Sequence, residues 1–211
     1  MYMAGKIDFK VVQKQFYNPQ IRGFHYVEIP EMQFLMIDGV GDPNKSQKYA
    51  QAIEALYSMS YGIKFAIKRT GQDYIVPPLE GLWWMEDMHE FSMATKDRWE
   101  WTMMVMQPEW VSSELVENVR LSTKKKKPNP LLDEIRFTRY SEGLCVQILY
   151  TGAYSDEAST ISQLHNLIHA DGYQTNGKHH EIYLGDVRKT PPEKLKTILR
   201  QPVMKCETIG I

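Results

Sequence analysis

Two stretches of this chain, LMIDGVGDPN from Leu35 and ILYTGAYSDE from Ile148, run through the same order: apolar strand, glycine, short turn, acidic helix start. A junction used twice reads as a weak internal repeat of one strand-helix-strand-strand unit. Around the first copy, Met32 to Asp38 reads as a buried strand, and Asp42 with Pro43 are helix-start signals. Tyr49, Ile53, Leu56 and Ser60 then recur at helical spacing, and YIVPPLEGLWWM and RWEWTMMVMQ read as strands. Around the second copy, EWVSSELVENVRL is helical in period and TKKKKPNP is a polar surface loop. IRFTRYSEGLCVQILYTGAYSDE reads as a hairpin turning at Ser141 to Gly143. The next helix is capped by Ser155 or Asp156, buries Ile161, Leu164 and Ile168, and stops at Gly172. HHEIYLGD is a strand, followed by a proline-started helix from Pro191 to Arg200. The expectation is an α+β fold of two βαββ units in one domain over residues 1–211. Its halves are roughly 31–107 and 108–211, behind an N-terminal arm over 1–30, with a groove where the halves meet.

Composition narrows the functional classes. A net charge of -1 gives no basic field of the kind that draws nucleic acid, and no room precedes Pro30 for a DNA-reading pair of helices. Cys145 and Cys206 lie in apolar runs and are too few for a disulfide framework, so both read as buried free thiols in a reducing cytoplasm. No apolar run approaches the ~18 residues of a membrane span, and the first residues lack the apolar core of a signal peptide. The expected protein is cytoplasmic, with no nucleic-acid or membrane partner.

The strand HHEIYLGD carries an unusual placement. Strand alternation sets His179, Glu181 and Tyr183 on one face and His180, Ile182 and Leu184 on the other. A carboxylate and a phenol therefore look the same way.

Five phrases in order resemble the GyrI-like small-molecule-binding family in its free-standing branch: FLMIDGVGDPN, PLEGLWW, WTMMVMQPEWV, GLCVQILYTGAYSDE and HHEIYLGDVRKTPPEKLKTILRQPV. They span about Phe34 to Val203. The resemblance implies two βαββ units in pseudo-twofold relation with a ligand groove between them. It also implies that Glu181 is the strand glutamate that meets lipophilic, often cationic ligands among aromatic rings. Some free-standing relatives hydrolyse the cyclopropane of DNA-alkylating natural products.

The residues suit such chemistry. A flat spirocyclopropyl-dienone binds to rings through buried area and quadrupole geometry. Trp83, Trp84, Trp99, Trp101 and Trp110 supply rings, with Trp99 and Trp101 two apart and so on one strand face. Trp84 shares a face with Glu80 and Leu82, Trp83 points the other way, and period leaves open which of the two lines the groove. The expected ligand-binding set is Trp83, Trp84, Trp101, Trp110, Tyr150, Tyr154 and Glu80. Opening the ring with water turns the dienone carbonyl into a phenolate, which calls for a base and a proton donor. Glu181 is the expected base, and Tyr183 or Tyr154 the expected hydroxyl. The expected ligand is a lipophilic aromatic small molecule, with no cofactor.

Two other readings compete. A drug-sequestering or sensor protein would use the same rings and glutamate without turnover. A metal-dependent hydrolase would use His165 and His169, four apart on one helix, with His179, His180 and Glu181. HNLIH, however, lacks the glutamate that follows the first histidine in a zincin motif.

Overall fold

The computed structural model describes residues 5–19, 22–86 and 93–206. The chain groups into two compact units, one of Met1–Val12 with Met32–Tyr140, the other of Gln13–Glu31 with Ser141–Ile211. The class is α+β with antiparallel strands.

In the first unit β2 (Met32–Val40), α3 (Gln47–Lys68), β3 (Leu79–Trp84) and β4 (Glu100–Gln107) give the expected β-α-β-β succession. A short helix, α1 (Phe9–Val12), precedes them; α4 (Ser113–Lys126) and β5 (Arg136–Tyr140) follow. The strands lie in the order β3-β4-β2-β5. Ser46 rather than Asp42 caps α3, its hydroxyl accepting from Tyr49 N at 3.2 Å. Ala52, Ala55, Leu56, Met59 and Ile63 then form its buried stripe.

Residues 108–140, expected in the second half, group with this unit, in which α4 packs on α3 and β5 pairs with β2. Lys124, Lys125 and Lys126, expected in a loop, form the last turn of α4, where their positive charge faces the helix's negative end.

In the second unit α2 (Lys14–Tyr17) and β1 (His25–Ile29) give structure to what read as a plain arm. They are followed by β6 (Gly143–Thr151), α5 (Ala158–Ala170), β7 (Tyr173–Thr175), β8 (His179–Tyr183) and β9 (Lys196–Lys205). The order is β1-β6-β9-β8, with β7 also on β9. Val146, Leu164, Ile168 and Val203 form the core between α5 and the strands.

Two expected elements are corrected here. The hairpin at Ser141–Gly143 does not form: β5 pairs with β2, while β6 pairs with β1 and β9. The helix from Pro191 to Arg200 is instead a single 3-10 turn, Pro192–Lys194, followed by strand β9. Thr197 to Val203 are all buried, and a strand paired on both edges and covered on both faces shows no alternation to distinguish it from a buried helix. Cys145 is buried as expected, whereas Cys206, just past the end of β9, is exposed.

One close contact fixes the first unit's layers. Trp101 on β4 is fully buried, stands opposite both Gly39 and Trp83, and meets Tyr49 of α3 edge-on at 5.2 Å. A Cβ at Gly39 would overlap the indole ring, so the glycine is the space in which the tryptophan lies. Gly39→Ala is expected to destabilise the protein by about 1–3 kcal/mol, the usual cost of overpacking a close-packed core. A lowered midpoint of urea unfolding at unchanged slope would show it.

Candidate functional site

The second unit gathers the expected catalytic pair. On β8, Glu181 stands opposite Leu199 and Tyr183 opposite Thr197 of β9, so both share the face on which α5 packs. Tyr183 Oη donates to Glu181 Oε2 at 2.7 Å. The glutamate side chain keeps 17% of its surface exposed, so solvent and solutes reach it. Tyr154, in the turn before α5, meets the Tyr183 ring edge-on at 5.4 Å. Tyr150 closes that turn by donating from its hydroxyl to Ala153 O at 3.3 Å, and Gly152 leaves the room, since a Cβ there would overlap the phenol. Strand alternation made the Glu181–Tyr183 contact foreseeable. The structure adds the tyrosine cluster.

Glu157 is the residue the sequence reading missed. It stands at the start of α5 in place of the expected Ser155 or Asp156 cap, yet its side chain caps nothing. Only 3% of it is exposed, and its Oε1 has no hydrogen-bond partner among the described residues. Burial first, then the charge of Glu181, pushes its carboxyl up to about 8, against the opposing pull of the Thr197 hydroxyl. The signal was present in the spacing. Glu157, Ile161, Leu164 and Ile168 fall at intervals of four, three and four, which put the carboxyl in line with the helix's apolar stripe.

The histidines do not converge. His179 is buried beside Glu181, with its Nε2 3.7 Å from Glu181 Oε1. Burial first, then His165 and His180, push its pKa down to about 3, so it is a neutral neighbour and not a cation. His169 is exposed on α5, and His180 points to the opposite face of β8. Among the described residues no group of three or more His, Cys, Asp or Glu side chains is arranged to hold a metal ion.

The remaining expected ligand-binding residues belong to the first unit. Trp83 packs on Tyr49 at 6.0 Å and on Trp99 at 5.7 Å, which with Trp101 makes an aromatic core under α3. Trp99 lies just before β4, not within it. Trp84 and the buried Glu80 sit on the other face of β3, Trp84 half-buried. Trp110 is 41% exposed and stacks on Phe9.

The far face of β8 is held by charge. Arg200, fully buried on β9, donates to Glu142 at 2.9 Å, to Gln147 at 3.1 Å and to Phe16 O at 2.8 Å. His180 reaches the other Glu142 oxygen through Nδ1 at 2.9 Å. Burial alone would raise the Glu142 pKa, but His180 and Arg200 outweigh it and hold it at about 2. A carboxyl lowered on folding stabilises the fold above its unfolded value near 4.5, and that contribution is lost as pH falls toward 2. Glu142→Gln leaves a buried guanidinium without its countercharge and is expected to cost about 3–5 kcal/mol. Urea unfolding at neutral pH would measure the loss, and the variant's remaining stability should fall less steeply than the wild type's in that acid range.

An antiparallel α+β fold presenting a partly buried acid among phenol rings fits a small-molecule-binding protein. The description of the GyrI-like small molecule binding domain matches residues 24–204, and the chain belongs to that family. An uncharacterized conserved protein from Listeria innocua is 41% identical with a TM-score of 0.87, over 94% of this chain and 100% of its own. A hydrolase from Listeria innocua is 39% identical with a TM-score of 0.84 over the same shares. The EcmrR C-terminal domain shares the fold alone, at 12% identity and a TM-score of 0.58 over 89% of this chain and 100% of its own. A search of curated proteins returns no significant match. No described helix is long and apolar enough to cross a membrane.

Proposed function

We propose that the protein binds flat, lipophilic aromatic compounds from outside the cell's own chemistry and opens activated cyclopropanes with water, so protecting the cell from DNA-alkylating toxins. The observation that carries this reading is the Tyr183–Glu181 hydrogen bond at 2.7 Å, on a carboxylate that is neither sealed off nor fully solvated. The likeness to a hydrolase at 39% identity over nearly the whole chain supports a hydrolytic reaction.

In this reading Glu181 takes a proton from water as the water oxygen bonds to the strained ring carbon. The ring's carbon–carbon bond breaks, and its electron pair passes through the dienone to the carbonyl oxygen, which becomes a phenolate. Tyr183 fixes the carboxylate's direction, and the edge-on rings of Tyr154 and Tyr183 offer the ligand aromatic surface. The phenolate regains a proton, so substrate and water are the only inputs.

Incubating the protein with a cyclopropane-bearing dienone should yield a product heavier by one water. Glu181→Gln keeps the shape and removes the base, so binding should stay within a few fold while turnover falls by about 10²-fold or more. Tyr183→Phe should cost less than that if the hydroxyl only orients the acid. Tight binding without any product would leave a sequestering protein in place of an enzyme. Loss of binding in Glu181→Gln for cationic ligands alone would make the glutamate a charge partner.

A further inference from the structure

Glu157 has no structural employment that explains its burial. A capping side chain would bond a backbone N–H of α5, and this one bonds none. A buried ion pair would place a base beside it, whereas its neighbours are a second carboxyl and a hydroxyl. Tyr150 faces it from β6, Glu181 from β8 and Thr197 from β9. Its own turn adds Tyr154 and Asp156, and Tyr183 and His179 flank Glu181. Glu157, 3% exposed, lies within the reach of the Glu181 charge and has no base beside it, so its ionised form is disfavoured. Glu181, the more exposed of the two, carries the charge, and Glu157 keeps the proton.

We infer that Glu157 is a second working carboxyl of the ligand site, and that the site takes up a flat organic cation in exchange for the Glu157 proton. The inference rests on the ligand-binding part of the proposed function and is independent of hydrolysis. A cation stacked on the phenol rings brings positive charge to the carboxyl pair, which favours the doubly ionised form. The Glu157 O–H bond then breaks, the proton leaves to solvent, and the bound cation replaces it as counter-charge. A neutral ligand of the same shape brings no charge and displaces no proton.

The sign of the pH effect follows from linkage. Free Glu157 is protonated below about 8, and in the cation complex it is ionised. Affinity for a cation therefore rises with pH through the neutral range and levels off above that value, while affinity for a neutral ligand stays flat.

Isothermal titration calorimetry in two buffers of different ionisation enthalpy reads the exchange directly, with N-methylacridinium as the cation and acridine as its neutral counterpart. At about pH 7 the cation should release close to one proton, at about pH 9.5 nearly none, and acridine none at either. Glu157→Gln should abolish the release and the pH-dependence of cation affinity, with its urea-unfolding midpoint reporting whether the fold is intact. Cation binding without proton release at about pH 7, or release that persists in Glu157→Gln, overturns the inference and leaves the proposed function standing. Binding of neither dye to the wild type removes the ligand reading and this inference with it. The wild-type comparison at two pH values decides the matter even if the variant does not fold.

Discussion

The buried guanidinium of Arg200 is the constraint on which the second unit depends. It joins β9 to Gln147 of β6, to Glu142 at the entry of β6, and to the backbone of α2. Glu142 in turn holds His180 of β8. Because strand side chains alternate, fixing His180 on that face obliges Glu181 to stand on the other. A slip of one residue along β8 would put Glu181 against Arg200 and leave Ile182 where the acid belongs. An ion cluster on one face of β8 thus determines which side chain stands on the other. Its net energy need not be large for this purpose, since removing one partner costs far more than the assembled set contributes.

The same strand shows how polarity can be divided by a sheet only one residue thick. One face of β8 holds full charges, satisfied and compensated; the other holds a neutral imidazole, a carboxyl raised by burial and phenols. The first arrangement makes for permanence. The second contains a carboxyl, Glu157, that burial raises toward neutral pH, while the Glu142 cluster lies far from its own titration range.

Much of this was legible in the sequence where the signal was local. The alternation in HHEIYLGD placed Glu181 beside Tyr183, and the recurring strand-glycine-helix junction marked β2 with α3 and β6 with α5. Readings failed where a tertiary partner decided. The segment after Pro191 has helical content in its residues, but its burial on both faces made it the strand between β6 and β8. Tyr140 and Gly143 lie close enough for a hairpin, yet β5 found its partner in β2, about a hundred residues earlier, and such a choice leaves no mark at the turn. Trp101 was read as ligand surface because an indole in a strand looks the same in either role; the absent side chain of Gly39 is what assigns it to the core. Glu157 is hard to read for the opposite reason, since acids at helix starts are so common that its place on the apolar stripe does not stand out.

The second unit is assembled from both sides of the first, since Gln13–Glu31 precede Met32–Tyr140 and Ser141 onward follow it. The contact from Arg200 to Phe16 spans 184 residues of chain. On the ribosome, therefore, the helix–strand layer around Trp101 can close while β9 is still unmade, but the segment carrying α2 and β1 must wait for it. That interval leaves Phe16 and Tyr17, buried in the finished protein, without their distant partner. Holding such a segment soluble until its distant partner arrives is a demand on biosynthesis that the finished fold conceals.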